Sequence, residues 1–276
     1  MPEPGSVADQ HTTWTEQAVA WDRWADRTEK MAERFNQPLV EAAGAKPGDR
    51  VLDLASGVGE PGLTIHKAIK PGGRLILSDL AEAMLAGAAR RFRGRGLDVG
   101  FVVQDAQRLA LADASVDVVT CRFGIMFFSE PRVALSEAFR VLVPGGRAAF
   151  LVWGPIADNP MFEVTRGAID AVLGSAPLPF DPFRHAAPGL LADDFAAAGF
   201  EEYAERDLSF ERHAKAGEPF WRAPLEMTGG SRLADLDPAA RDRLDAEVVR
   251  RLEPYRSGDG YRLGSHIRIL IASKPT

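Results

Sequence analysis

Three acidic residues, Asp53, Asp79 and Asp105, recur 26 residues apart, each within or directly after a short apolar run. A carboxylate in such a place is expensive unless it accepts hydrogen bonds or meets a positive charge, so three in step suit the polar atoms of one ligand. Around the first lies Val51-Leu52-Asp53-Leu54-Ala55-Ser56-Gly57-Val58-Gly59-Glu60-Pro61-Gly62, which reads as a strand, a glycine turn and a helix start. Glycine in such a turn lets the backbone approach a ligand closely. The run fits the G-x-G-x-x-G pattern of dinucleotide sites, and Asp79 follows at the end of the next strand as an NAD-dependent oxidoreductase requires. Two neighbours oppose that reading. Glu60 brings a carboxylate toward a doubly charged pyrophosphate, and Pro61 removes one backbone N–H that would receive it.

A nucleoside with a cationic tail in place of phosphates meets these demands, and S-adenosylmethionine is such a ligand. Asp53, inside the first strand, is then expected to point toward the ammonium of that tail. Taken singly, each aspartate is equally well a solvated turn or helix cap. Together they favour a site.

The elements that position these acids alternate from about Arg50 to Trp153. Strands are expected over Val51 to Ala55, Arg74 to Asp79, Val99 to Gln104, Val116 to Cys121 and Ala148 to Trp153, all mostly apolar, as in a parallel sheet covered on both faces. Helices are expected over Pro61 to Ile69, Ala81 to Phe92 and Pro131 to Leu142, while the link Ala106 to Ala112 is short. Pro71-Gly72-Gly73 and Pro144-Gly145-Gly146 turn helices into strands. Beyond Trp153 come a helix near Phe162 to Leu173, a helix over Leu190 to Ala198, and strands over Tyr203 to Phe210 and Ile267 to Ala272. Ala216 to Gly264 reads as mostly helical, with Asp237-Pro238 opening a helix to about Leu252. The expected fold is α/β: a Rossmann-like, seven-stranded, mostly parallel sheet with its last strand antiparallel, helices on both faces and a helical cap. The expected divisions are an N-terminal helical lid (1–45), a cofactor-binding core (46–153), and cap insertions with the last two strands (154–276).

Composition narrows the function. The 276 residues carry a net charge of −6, with 33 Lys and Arg against 39 Asp and Glu, which disfavours nucleic acid as a partner. One cysteine, Cys121, excludes an intramolecular disulfide and a thiolate-built metal site. No metal motif arises from His11, His66, His185, His213 and His266. No apolar run is long enough for a membrane span, nor is there a signal-peptide core near Met1, so a cytoplasmic location is expected.

The segment from Val51 to Trp153 resembles the class I S-adenosylmethionine-dependent methyltransferases, closest to the ubiquinone/menaquinone C-methyltransferase-like branch. That resemblance implies that the loop from Asp53 through Ala55, Ser56, Gly57 and Gly59 wraps the methionine moiety. It also implies that Asp79, in Ser78-Asp79-Leu80, grips both ribose hydroxyls, that Met84 packs on adenine, and that Asp105-Ala106 reads the adenine edge. Val141 to Gly146, before the fifth strand, also resembles the family. Arg122, at the end of the fourth strand, is expected near the cofactor carboxylate or an acidic acceptor, or else in a surface ion pair.

Transfer from a sulfonium is an in-line displacement with a good leaving group, so alignment and exclusion of water matter most and no catalytic residue is assigned. Many relatives carry histidines after the fourth strand; here stand Met126, Phe127 and Phe128, either core beneath the cap or the wall of an apolar, aromatic acceptor site. His11 and His185 are the candidate bases, and His66 and His266 read as structural. Asn159-Pro160-Met161-Phe162 only partly echoes the loop of nucleobase-methylating enzymes. Trp14, Trp21 and Trp24 form one stripe of a helix, packed on the core or closing over the cofactor. A methyltransferase acting on a small organic acceptor at O, C or N is thus expected, with a non-methylating S-adenosylmethionine binder and an NAD-dependent oxidoreductase as alternatives. Oligomeric state is left open.

Overall fold

The computed structural model describes residues 6–176, 181–234 and 236–276. Eight strands form one sheet: β1 (Arg50–Leu54), β2 (Arg74–Asp79), β3 (Gly100–Val103), β4 (Val116–Arg122), β5 (Leu142–Trp153), β6 (Glu201–Lys215), β7 (Arg256–Ser257) and β8 (Gly260–Ser273). Their order is β3-β2-β1-β4-β5-β8-β6, with β7 paired to β8. The first five are mutually parallel, and β8 runs antiparallel to both β5 and β6. The seven-strand path is as expected. The eighth strand is the two-residue β7, too short to carry a periodic signal.

Side chains alternate between two cores, as a pleated strand demands. Leu52 and Leu54, Cys121, and Ala148, Phe150 and Val152 face one layer. Val51, Leu75 and Leu77, Val118, and Ala149 and Leu151 face the other. The first layer packs on α4 (Pro131–Val141) and α6 (Ala192–Ala197); the second packs on α2 (Gly62–Ala68), α3 (Glu82–Gly94) and the end of α1 (Val7–Ala43). A third cluster joins α5 (Pro160–Leu173), α7 (Arg222–Gly229) and α8 (Pro238–Leu252) around Val164, Trp221, Leu225, Val248 and Leu263. The N-terminal segment is a single 37-residue helix, capped by the Ser6 hydroxyl accepting from the Asp9 N–H at 3.1 Å.

Strands β5, β6 and β8 are longer than their sequence pattern indicates. β8 begins at Gly260, so the end of the stretch expected to be helical is strand. Its first half pairs with β6, Ser209 to Lys215 against His266 to Gly260, and with the two residues of β7 at Gly260 and Tyr261, because β5 reaches β8 only from Ile267 onward. In the β8 part of that arm only Tyr261 and Leu263 are buried apolar side chains, alternating with exposed Arg262 and Gly264 between two glycines, too brief a pattern to mark a strand. Pro144-Gly145-Gly146 falls within the irregular start of β5, where the register to β4 shifts between Val116 and Val118.

His266 joins the arm to its surroundings. Its Nδ1 lies 2.9 Å from Asp158 and its Nε2 3.0 Å from Asp207, and Arg268 also reaches Asp207, at 2.8 Å. Burial alone would lower its pKa, but the two carboxylates raise it above the ordinary 6.5. Its stabilising contribution is therefore complete below the unfolded value and lost as pH rises through the higher folded one. The melting-temperature advantage of the native chain over His266→Gln is expected to shrink as pH rises from the ordinary 6.5 through the higher folded value; a constant difference across a melting series would refute this.

Candidate active site

Strand order reverses between β1 and β4, the place where open α/β sheets form a crevice at the carboxyl ends of their strands. A cavity of about 1000 Å³ lies there, bordered by residues at the ends of β1 to β5 and roofed by α1, α5 and α7. That volume is at the upper end of what drug-sized ligands occupy, enough for a cofactor and an acceptor together.

Ala55, Ser56, Gly57, Asp79, Leu80, Met84, Asp105, Ala106 and Arg122 border this cavity; Asp53 and Gly59 do not. Gly59, at φ 97°, lies against α3, where an added Cβ would stand 2.8 Å from the Phe92 ring. Its backbone conformation and the tightness of that packing both require glycine. Asp53 shares a strand face with Val51 and is fully buried, its Oδ1 accepting from the Thr120 hydroxyl at 2.6 Å while Oδ2 has no hydrogen-bond partner. Burial drives its pKa well up, against the Thr120 hydrogen bond and the nearby Arg122 charge.

Asp79 ends β2 with both carboxylate oxygens held. Oδ2 accepts from the Gly57 N–H and Oδ1 from the Ala81 N–H, each at 2.9 Å. Burial raises its pKa, and these backbone N–H groups work in the opposite direction. Asp105 is likewise braced, by the Gln107 N–H at 2.9 Å and the Gln107 side chain at 3.1 Å. Gln104, overlooked in the sequence because it precedes the conspicuous aspartate, also borders the cavity.

Ala55, the residue after β1, has φ 51° and faces Gly124, whose absent Cβ would lie 2.6 Å from the Ala55 methyl. A left-handed alanine is strained. Ala55→Gly is expected to raise stability by roughly 0.5 kcal/mol, the relief of strain exceeding glycine's added entropy cost. A urea titration showing loss of stability would contradict this.

Arg122 extends along the aromatic wall, its guanidinium 5.8 Å from the Phe35 ring and 5.2 Å from that of Phe123. Burial disfavours its charge, offset by Glu60 and Asp53. Phe123 stacks on Trp153 at 4.0 Å, and Trp153 meets Phe162 edge-on at 5.0 Å. Met126, Phe127 and Phe128 belong to the core layer and also border the cavity. Trp14 and Trp21 border it too, Trp14 lying edge-on to Phe127 at 5.0 Å, whereas Trp24 donates to Glu226 at 2.8 Å and ties α1 to α7.

No histidine borders the cavity among the described residues. His185 has its Nε2 facing the Arg184 Nε–H at 3.0 Å, and burial, aided by the Arg184 charge, depresses its pKa to about 4. Asn159 spends its side chain on backbone: its amide donates to the Pro155 and His266 carbonyls and its oxygen accepts from the His266 N–H, each at 3.0 Å. Cys121 is a free, buried thiol whose pKa burial pushes up. Among the described residues no group of side chains could hold a metal ion, and no helix is long and apolar enough to cross a membrane.

The lining fits S-adenosylmethionine. Asp79 is an ionisable acceptor at the end of β2. Trp21 Nε1, Ser56 Oγ, Gln104 Nε2 and Arg122 Nε are buried, lack a hydrogen-bond partner and belong to residues of the cavity wall. Buried polar atoms left in that condition are costly unless a ligand satisfies them.

Comparison with known proteins agrees. Residues 30–164 match the ubiE/COQ5 methyltransferase family. A demethylmenaquinone methyltransferase of Thermus thermophilus is 36% identical over 179 residues, covering 60% of this chain and 81% of that protein. A ubiquinone/menaquinone biosynthesis C-methyltransferase of Bdellovibrio bacteriovorus is 37% identical over 128 residues, 46% of this chain and 54% of its own length. The fold is shared with phosphoethanolamine N-methyltransferase 2 of Haemonchus contortus, solved with S-adenosylhomocysteine, at a TM-score of 0.59 and 18% identity over 100% of this chain and 61% of that one. These likenesses disfavour both the oxidoreductase and the non-methylating readings: the chain belongs to the ubiE/COQ5 methyltransferase family and is an S-adenosylmethionine-dependent methyltransferase.

Proposed function

We propose that the chain methylates a ring carbon of a quinol-type aromatic acceptor. The observation that supports this most is the continuity of the polar cofactor end, at Asp79 and Asp105, with a wall of Trp14, Phe127, Phe123, Trp153 and Phe162 in one cavity. When bound, S-adenosylmethionine supplies an electrophilic methyl group on a positively charged sulfur. The residues of this chain hold the donor at the ends of β1 to β3, stack the acceptor ring on the aromatic wall and keep water away from the transfer. The relatives named for demethylmenaquinone and for ubiquinone/menaquinone biosynthesis support an acceptor of this class.

The proposed cofactor contacts are Asp53, Ala55, Ser56, Gly57, Gly59, Asp79, Leu80, Met84, Asp105, Ala106 and Arg122, with Asp53 and Gly59 acting from behind the wall by shaping the loop. The chain is incubated with S-adenosylmethionine and a reduced naphthoquinone lacking a ring methyl. Release of S-adenosylhomocysteine with a product heavier by one methylene unit, the new carbon on the ring, is the expected result. Methylation at oxygen, or none, would refute the proposal.

A further inference from the structure

Besides Arg122, two arginines at the aromatic end of the cavity have no acidic partner among the described residues. Arg34, on α1, and Arg212, on β6, both border the cavity, and neither forms an ion pair within the described residues. By contrast, Arg166 and Arg232, also on the cavity wall, share Asp170 at 3.5 Å each.

The pair straddles one crossing of helix and strand. Arg34 Nη1 donates to the Glu211 carbonyl at 3.2 Å, and Arg212 Nη1 reaches back to Met31 Sδ at 3.3 Å. Strand alternation puts Arg212 on the face of Phe210, whose ring meets Phe35 edge-on at 5.8 Å, while the Glu211 carboxylate turns away to Arg262 and His213. Phe35 in turn meets Phe123 and Trp153, each at 5.8 Å. Two like charges are thus held together beside the ring-binding wall. Arg212 is partly desolvated, and burial together with the Arg34 charge disfavours its ionised form. Arg34 is exposed and the Arg212 guanidinium lies over the Phe220 ring at 4.9 Å; an anion that reaches both guanidinium groups accepts charge-assisted hydrogen bonds from each.

We propose that Arg34 and Arg212 form a subsite for an acidic substituent, carboxylate or phosphate, on the aromatic acceptor. This rests on the aromatic-acceptor reading above and goes further by giving the acceptor a charge and placing that charge away from the methyl donor. A neutral ring would lie on the same wall without engaging either arginine.

The test uses the full chain saturated with S-adenosylhomocysteine, titrated calorimetrically with a hydroxynaphthoate, a hydroxynaphthyl phosphate and the neutral hydroxynaphthamide. At least one acid is expected to bind about 30-fold more tightly than the amide, because the acid accepts charge-assisted hydrogen bonds from two guanidinium groups that the neutral amide does not engage. The preferred acid identifies the substituent. In Arg34→Gln/Arg212→Gln the preference is expected to vanish while amide affinity stays unchanged, and added salt is expected to erode it in the native chain. Amide binding with no preference for either acid, or a preference that survives in the double variant, overturns the subsite alone. Binding of none of the three compounds overturns the subsite and the aromatic acceptor together.

Discussion

Asp79→Ala is expected to weaken S-adenosylhomocysteine binding by at least about 100-fold, since two hydrogen bonds to an ionised carboxylate contribute on the order of 1.5 kcal/mol each. The carboxylate borders the cavity, and its oxygens already accept from the Gly57 and Ala81 N–H groups, so its orientation is set before any ligand arrives. Ionisation is needed for it to accept from backbone and ligand at once. Because burial raises its pKa above the ordinary 3.8, affinity is expected to fall on acidification before an exposed aspartate would begin to protonate. The stability of the free protein should respond in the opposite sense. A carboxyl with a raised folded pKa contributes stability that is present at low pH and lost as pH rises through that value. Calorimetric titrations across a pH series, paired with melting curves, separate the two effects. Undiminished affinity in Asp79→Ala, with the fold intact, would remove Asp79 from the cofactor site.

The parts of this site that could be read from the sequence are those governed by local rules. Apolar runs with an aspartate in or just after them, and Gly and Pro between them, locate β1, β2 and β3, because a covered parallel strand has few other compositions open to it. Depth is a different matter. Asp53 and Asp79 look alike in sequence, yet Asp53 turns into the sheet toward Thr120 while Asp79 reaches the cavity. That difference depends on which strand lies alongside, a long-range property. The β6–β8 arm was hidden for a related reason: beyond the reach of β5, β6 keeps charged residues exposed along its length, and β8 lacks the continuous buried run that marks the end of β5. The pairing of Arg34 with Arg212 joins residues that no local pattern connects.

Arg91 illustrates the same limit with the largest consequence for stability. In Arg90-Arg91-Phe92-Arg93 it looks like part of a solvated basic helix, but its side chain is 1% exposed. Its guanidinium donates to the Val58 carbonyl at 2.7 Å, to Glu60 at 2.8 Å, to Asp26 at 3.0 Å and to Glu29 at 3.2 Å. Glu60 also accepts from Asn36 at 2.6 Å, so one buried cation fastens α1, α3 and the glycine loop together. Arg91→Met leaves the largely buried Glu60 carboxylate without its main counter-charge and is expected to cost about 3–5 kcal/mol. The exposed Asp26 adds little to that figure, since solvent already screens it. Glu60→Gln in the same chain removes the stranded charge, so Arg91→Met/Glu60→Gln should be more stable than Arg91→Met alone, a non-additivity that a double-mutant cycle measures. The loop borders the cavity at Ser56, Gly57 and Val58, so cofactor affinity should fall with the single substitution and partly return with the double. If the two substitutions prove additive in urea unfolding, Arg91 and Glu60 are not coupled, and the anchoring of the loop must lie with Asn36 and the packing of Gly59 on Phe92.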